Sequence, residues 1–309
     1  MTSGRDGVLL VDKEAGGTSH DVVQKARRLL GQKKIGHCGT LDPDATGLLL
    51  LTLGRATRLT RFLIRAPKVY QGVMRFGIAT DTYDASGRVV AEASTGGLEL
   101  EAIRAAMAEL EGTYPQSPPP YCAKKVQGVR YYELARRGEE VPESSKEITV
   151  FELAALGELA DDRLGFTLSC SSGTYARTIA QEVGRRVGCG AHLASLRRLQ
   201  IGPFRVEQAL TLGELAAARE RDDDLGPAWV PFDRIPLPFA EVTADAQQES
   251  RIAHGQSVLV RQFPGEEGDW VKLINRRHEF IAVGTVTERI GSDPGVDGIG
   301  VVQPKVVFK

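Results

Sequence analysis

GHCGTLDPDATG, residues 36–47, carries neither of the two apolar periodicities that build regular structure. Its glycines, its Asp42-Pro43 step and its small side chains disfavour a helix interior and leave a strand nothing to alternate. The segment reads as a tight loop that holds Asp42 on a backbone with little freedom, with Pro43 fixing the next φ. An aspartate before proline is more often a turn or cap residue than a nucleophile, and Asp44 keeps that reading. The flanks are regular. Upstream, Val8–Val11 reads as a buried strand. Thr18 and Asp21 then have the spacing of a capping box. Val22, Val23, Ala26, Leu29 and Leu30 recur at helical spacing, and Gly31 is placed to close the helix. Downstream, Leu48–Leu53 is apolar enough for a central strand ended by Gly54. Strand, helix, loop and strand therefore frame Asp42.

The 309 residues suggest two domains as a prior. With 42% hydrophobic and 26% charged residues, the composition is that of a soluble globular protein. The longest apolar run, Leu48–Leu51, is far short of a membrane span. Val8–Val11 is too short for a signal-peptide core, so the expected location is the cytoplasm. Cys38, Cys122, Cys170 and Cys189 are scattered and form no CxxC pair, which argues against a disulfide framework. His37 and Cys38 are adjacent, but no second pair stands at metal-site spacing, so no metal is expected.

The formal net charge is -1, yet residues 1–75 hold thirteen Lys and Arg against six Asp and Glu. That asymmetry suits a polyanion partner, and a solvated basic face gives the same count. Farther on, Lys124, Lys125, Arg130, Arg136 and Arg137 interleave with three tyrosines in SPPPYCAKKVQGVRYYELARRG. This pattern suits a nucleic-acid surface, and an ordinary loop and helix fit it too.

Leu59, Phe62, Leu63 and Ala66 form one helical stripe stopped by Pro67. From Lys68 to Phe76 residues alternate, which puts Tyr70, Met74 and Phe76 on one face. ASGR, residues 85–88, is a turn signal, and Ile103, Ala106, Met107 and Leu110 mark a further helix. GFTLSCSSGTYARTIAQEVGRRVG reads as strand, tight Gly173 and helix, with Arg177 on the first turns. From about Leu237 short β-rich runs alternate with Gly- and Pro-containing turns, the pattern of a small β domain with its own boundary.

In order along the chain, GVLLVDKEAGGTSHDVV, GHCGTLDPDATG, KVYQGVMRFG, TDTYDASG, PPPYCAKK, SSGTYARTIAQEVG and GCGAHLASLRRLQIG resemble the motifs of the bacterial tRNA pseudouridine synthases of the TruB family. The resemblance runs over nearly the full length. Glu14 stands where the family usually has proline, and Cys122 where it usually has serine. The resemblance implies an α+β fold: a pseudouridine-synthase catalytic domain over residues 1–236, built on a mixed, largely antiparallel sheet, and a small C-terminal PUA-like β domain over 237–309. It implies an isomerase that turns uridine 55 of the tRNA T loop into pseudouridine on a flipped-out base. Substrate and product hold the same atoms, so neither redox cofactor nor metal is expected. The match gives the nucleophile's role to Asp42, with Arg177 as the cation that keeps it ionised and aligned. Tyr70 matches the pocket tyrosine that stacks on the uracil, its hydroxyl a candidate for removing the C5 proton. Leu196 matches an apolar pocket wall, and His37 the histidine that fills the space left in the RNA loop. Tyr175 is pocket or core, and Lys13 is a phosphate contact or the partner of Asp12. The implied partner is tRNA, held by its T-arm and acceptor end, with no membrane, no required protein partner and a monomeric chain. A guide-RNA-dependent subunit and a catalytically inactive tRNA-binding chaperone are the alternatives.

Overall fold

The computed structural model describes residues 5–121, 125–126, 129–130, 145–263, 265–290 and 298–308. The basic and aromatic stretch around Arg136 and Arg137, and Cys122, lie outside these residues apart from two short strands at 125–126 and 129–130.

The signals flanking the Asp42 loop are realised as read. Gly7–Lys13 and Thr46–Leu53 are antiparallel neighbours in a ten-stranded sheet. Between them runs the helix Ser19–Leu30. Thr18 Oγ1 accepts from the Asp21 amide at 3.1 Å, and Asp21 Oδ2 accepts from the Thr18 amide at 2.9 Å. This satisfies two of the orphan donors at the helix start. Gly31 ends the helix in the left-handed region at φ 61°, which a residue with a Cβ rarely adopts. The stripe after Gly54 differs from the single helix expected. Gly54–Leu59 is a 3₁₀ helix, and only Thr60–Leu63 is α-helical. Leu59, Phe62 and Leu63 are buried nonetheless, because the tighter turn still brings them to one side.

The path through the large sheet is Trp229–Pro231, Gly7–Lys13, Thr46–Leu53, Ala191–Ile201, Lys68–Phe76, Arg163–Cys170, Lys146–Ala160 and Gly112–Gln116. Along this path every pairing is antiparallel except one. Thr46–Leu53 and Ala191–Ile201 run parallel, through only two register pairs, Arg197 with Thr46 and Arg198 with Gly47. Gly47 has φ +98°, and a Cβ there would lie 2.2 Å from the Arg198 carbonyl, so only glycine allows this approach. The narrow junction divides two apolar cores. One gathers Val8–Val11, Leu48–Leu51 and the helix Ser19–Leu30. The other gathers Tyr70, Met74, Phe76, Phe166, Ile179 and Val183, with Leu41 and Ala45 from the loop itself. The Asp42 loop thus sits over the seam between them.

The β-rich C-terminal region forms a second sheet of five strands, Ala240–Ala244, Trp270–Asn275, Phe280–Ile290, Gly298–Val307 and Val258–Phe263. It has an apolar core of its own. It also continues the first core, since Phe280 and Phe308 pack on Phe232 and Trp270 packs on Phe62. Cys38, Cys170 and Cys189 are free thiols. No helix among the described residues is long and apolar enough to cross a membrane.

Candidate active site

The loop around Asp42 is tied down almost atom by atom. Leu41 N donates to Ser19 Oγ at 2.8 Å, and Ala45 N donates to the Asp42 carbonyl at 3.1 Å. Gly16 N donates to the Pro43 carbonyl at 3.0 Å. Lys13 Nζ donates to the carbonyls of Glu14, Pro43 and Ala45 at 2.9, 2.8 and 2.7 Å. Lys13 is 1% exposed, so its ammonium has no access to an RNA phosphate. Nor does it pair with Asp12, which is held by both Nη atoms of Arg197 at 3.0 and 2.6 Å. Both expectations for Lys13 are corrected. An ammonium removed from water needs its three donors met, and the loop carbonyls meet them.

Arg177 sits in the first turn of the helix Ala176–Arg186, with only 7% of its side chain exposed. Tyr175 is the N-cap residue, and its amide donates to Gln116 Oε1 at 2.8 Å in place of a side-chain cap. From there the Arg177 guanidinium reaches the Asp42 carboxylate. Nε lies 3.0 Å from Oδ2, and Nη2 lies 3.3 Å from Oδ1. Nη1 contacts the Thr82 carbonyl at 3.1 Å and Asp84 Oδ2 at 3.2 Å, and Nη2 also contacts the Tyr121 carbonyl at 3.1 Å. These five contacts match the five N–H groups of a guanidinium. Asp84 is itself fixed, its Oδ1 accepting from Thr82 Oγ1, the Ser86 amide and Ser86 Oγ.

Asp42 keeps 44% of its side chain exposed, so the carboxylate is held from behind and open in front. Burial pushes its carboxyl above the ordinary aspartate value; Arg177 opposes this, and Asp84 adds to it. The expectation set Arg177 against desolvation at Asp42, and both effects act here, burial and cation. Desolvation outweighs it and leaves a more basic carboxylate than a surface aspartate.

Tyr70 is 8% exposed and joins Leu41, Ala45 and the half-buried Leu196 in one apolar cluster. Burial pushes its phenol up, and the charge of Arg198 pulls the other way. Asp42 and Arg177 are in contact and the charge of Asp42 acts on Tyr70, while Leu196 lies two positions from Arg198 on the strand that pairs with that of Tyr70. His37 stands apart on the short strand Ile35–His37, opposite Leu51. Burial lowers its ring below the ordinary histidine value, and its buried Nδ1 has no hydrogen-bond partner.

Two residues of this assembly escape a reading from sequence alone. Asp84 lies in the motif TDTYDASG, just before the turn signal of residues 85–88, and the sequence assigns it no role. Its signal is the arginine's surplus of donors, which one carboxylate cannot fill. Arg198 shares the inward parity of Leu196 on the strand Ala191–Ile201, and a charged residue at an inward position is itself the signal. Among the described residues no three His, Cys, Asp or Glu side chains cluster as metal ligands.

The chain is similar to known proteins. Residues 27–176 match the profile of the TruB family pseudouridylate synthase N terminal domain, and residues 177–235 that of the tRNA pseudouridylate synthase B C-terminal domain. The tRNA pseudouridine synthase B of Solibacter usitatus is 40% identical over 91% of this chain and 96% of that protein. That of Aromatoleum aromaticum is 45% identical over 81% of this chain and 80% of that protein. Among solved structures, a Cbf5-Nop10-Gar1 complex contains a chain that superposes with a TM-score of 0.74 at 26% identity, covering 98% of this chain and 85% of that one. A chain of an H/ACA RNP bound to a substrate RNA containing 2'-deoxyuridine gives 0.73 at 25% identity over 98% and 85%.

Proposed function

The chain belongs to the TruB family of pseudouridine synthases and isomerises a uridine of tRNA, and on that footing we propose that the target is uridine 55 in the T loop and that Asp42 is the nucleophile. The observation that carries the second half is the carboxylate itself: open in front and gripped from behind at both oxygens by the Arg177 guanidinium.

The reaction conserves every atom. The N1–C1′ bond breaks as Asp42 joins the nucleotide, the base turns, and a C5–C1′ bond forms as the bond to Asp42 breaks and frees the carboxylate. C5 loses a proton and N1 gains one. The base must first leave its stack, and a flipped base needs a face to rest on. Tyr70 would supply that face and Leu196 would close the pocket; for the Tyr70 hydroxyl to take the C5 proton it must first give up its own, which its burial opposes. Arg177 aligns the carboxylate, a task in which orientation counts for as much as charge. His37 fills the gap the base leaves, and its neutral ring suits packing among bases. Residues 237–309, as a PUA-like unit, hold the acceptor end, while residues 1–236 carry the chemistry.

A guide-RNA-dependent role has weaker support, since the H/ACA structures are 25–26% identical and the tRNA enzymes 40–45%. Tritium release from a tRNA transcript carrying 5-tritiated uridine tests the reading. The native protein releases it with no added cofactor and no guide RNA. Asp42→Asn binds the transcript and releases none; even a tenth of native turnover would remove Asp42 from the nucleophile's role. An inactive native protein that still binds tRNA would favour the chaperone alternative.

A further inference from the structure

Arg198 is 1% exposed, one of the largest fully buried side chains in the molecule. Its guanidinium touches neither oxygen of Asp42, and the carboxylate's cation is Arg177. It is turned instead toward the backbone of the loop. Nε donates to the Leu48 carbonyl at 2.7 Å, Nη2 to the Gly39 carbonyl at 3.2 Å, and Nη1 to the Thr40 carbonyl at 3.4 Å. Gly39 and Thr40 precede Asp42, and Leu48 follows it, so one planar group joins both ends of the loop.

Strand register puts it there. Arg198 lies opposite Gly47 on one side and opposite Tyr70 on the other. Directly paired residues of neighbouring strands share a face, so Arg198 and Tyr70 project together, and the charge of Arg198 acts on the Tyr70 phenol. A cation enclosed this way costs several kcal/mol unless its donors are met, and here backbone carbonyls of the loop meet them.

We propose that Arg198 is a positioning residue for the isomerisation, locking the Asp42 loop and Tyr70 into one frame so that carboxylate and aromatic ring address the same base. This rests on the reading of Asp42 as nucleophile. A lysine at 198 is a point charge and cannot span carbonyls on both sides of the loop. A glutamine carries two donors on one nitrogen and is equally unable to span them.

The test compares Arg198→Lys and Arg198→Gln with the native enzyme and with Asp42→Asn, by steady-state kinetics, tRNA binding and thermal unfolding. Both Arg198 variants are expected to unfold cooperatively and to keep KM and tRNA affinity within about threefold, while kcat falls on the order of 10²-fold, the usual effect of a displaced catalytic group. A folded variant with kcat within about threefold of native overturns the proposal, as does a loss confined to KM. Should neither variant unfold cooperatively, Arg198 serves the fold alone and the proposal falls too. Asp42→Asn separates the two readings. Normal turnover there removes the nucleophile assignment, whereas an inactive Asp42→Asn beside active Arg198 variants removes only the positioning role.

Discussion

Arg177 meets Asp42 edge to edge, with Nε 3.0 Å from Oδ2 and Nη2 3.3 Å from Oδ1. One planar group thereby fixes both oxygens, so the carboxylate cannot rotate without weakening two contacts at once. The fork is itself anchored by the Thr82 and Tyr121 carbonyls and by Asp84. Orientation therefore reaches Asp42 from three other parts of the chain.

Arg177→Lys keeps the charge and loses the fork. Rates at saturating tRNA should fall on the order of 10²-fold, since a misplaced nucleophile loses most of its advantage. Affinity should change little, because the guanidinium is buried behind the carboxylate. Near-native kcat would show that charge suffices and that the alignment does not matter.

The direction of the Asp42 shift gives a pH signature. Its carboxyl is raised above 3.8, mainly by burial. A raised carboxyl binds its proton more tightly, so the reactive carboxylate is fully present only at higher pH and is lost as pH falls through the raised value. The acid limb of kcat/KM, which reports the free enzyme, should lie above the ordinary aspartate value. Arg177 opposes the shift, so Arg177→Met should move that limb higher still. A limb at or below 3.8 would show that the cation outweighs desolvation.

The basic first 75 residues look different once folded. Lys13 and Lys68 are buried against carbonyls. Arg58 and Arg61 lie over Phe308, Phe62 and Trp270. Arg5, Lys25, Arg28, Lys33, Lys34 and Arg65 are exposed, and Arg58 and Arg61 keep exposed surface beside their rings. Log affinity for tRNA should fall with log salt, and removing both Lys33 and Lys34 should flatten the slope by about one per lost phosphate contact. Arg61→Ala should lower stability through the lost contacts with Phe62 and Trp270. An unchanged slope in the double variant would mark those lysines as a merely solvated face.

What was legible in the sequence follows from how local each signal is. Thr18, Asp21 and Gly31 announce a helix because caps act within one turn, and alternation from Lys68 to Phe76 settles which face Tyr70 takes. The loop was legible as a loop, and the family motifs singled out Asp42 and Arg177. Beyond the Asp42–Arg177 pair that the resemblance implies, contacts between distant segments were not legible. Arg198 joins three carbonyls about 150 residues upstream, and Lys13 reaches across the loop to Pro43 and Ala45. Nothing in either residue's neighbourhood says which carbonyls the fold will bring near. Charge counting pointed to a polyanion partner but could not say which residues meet it, since it cannot tell a lysine that is exposed from one that is enclosed.

The division between residues 1–236 and 237–309 is best tested by cutting the chain after Pro236. The residues proposed for chemistry, His37 through Leu196, lie upstream of the cut. The core does not stop there, however. Phe62 stacks edge-on against Trp270 and Phe239, and Phe232 packs on Phe280 and Phe308. Asp233 Oδ1 accepts from the Phe280 amide at 2.7 Å, and Arg58 lies over Phe308. Removing the second sheet uncovers Phe62 and Phe232, at a cost of about 1.5–3 kcal/mol for each ring fully exposed. The truncated protein should therefore unfold at a lower temperature and with a greater tendency to associate. The Asp42–Arg177 pair shares no contact with the lost sheet, so the fraction that folds should keep its chemical step. On an isolated T-arm stem-loop, kcat per folded molecule should match the full chain; on whole tRNA, KM should rise, because a linked second contact is gone. Differential scanning calorimetry measures the first effect and steady-state kinetics on the two substrates the second. Equal loss of kcat on both substrates in a folded truncation would mean that the second sheet supports the active site, and the proposed division of labour would fail.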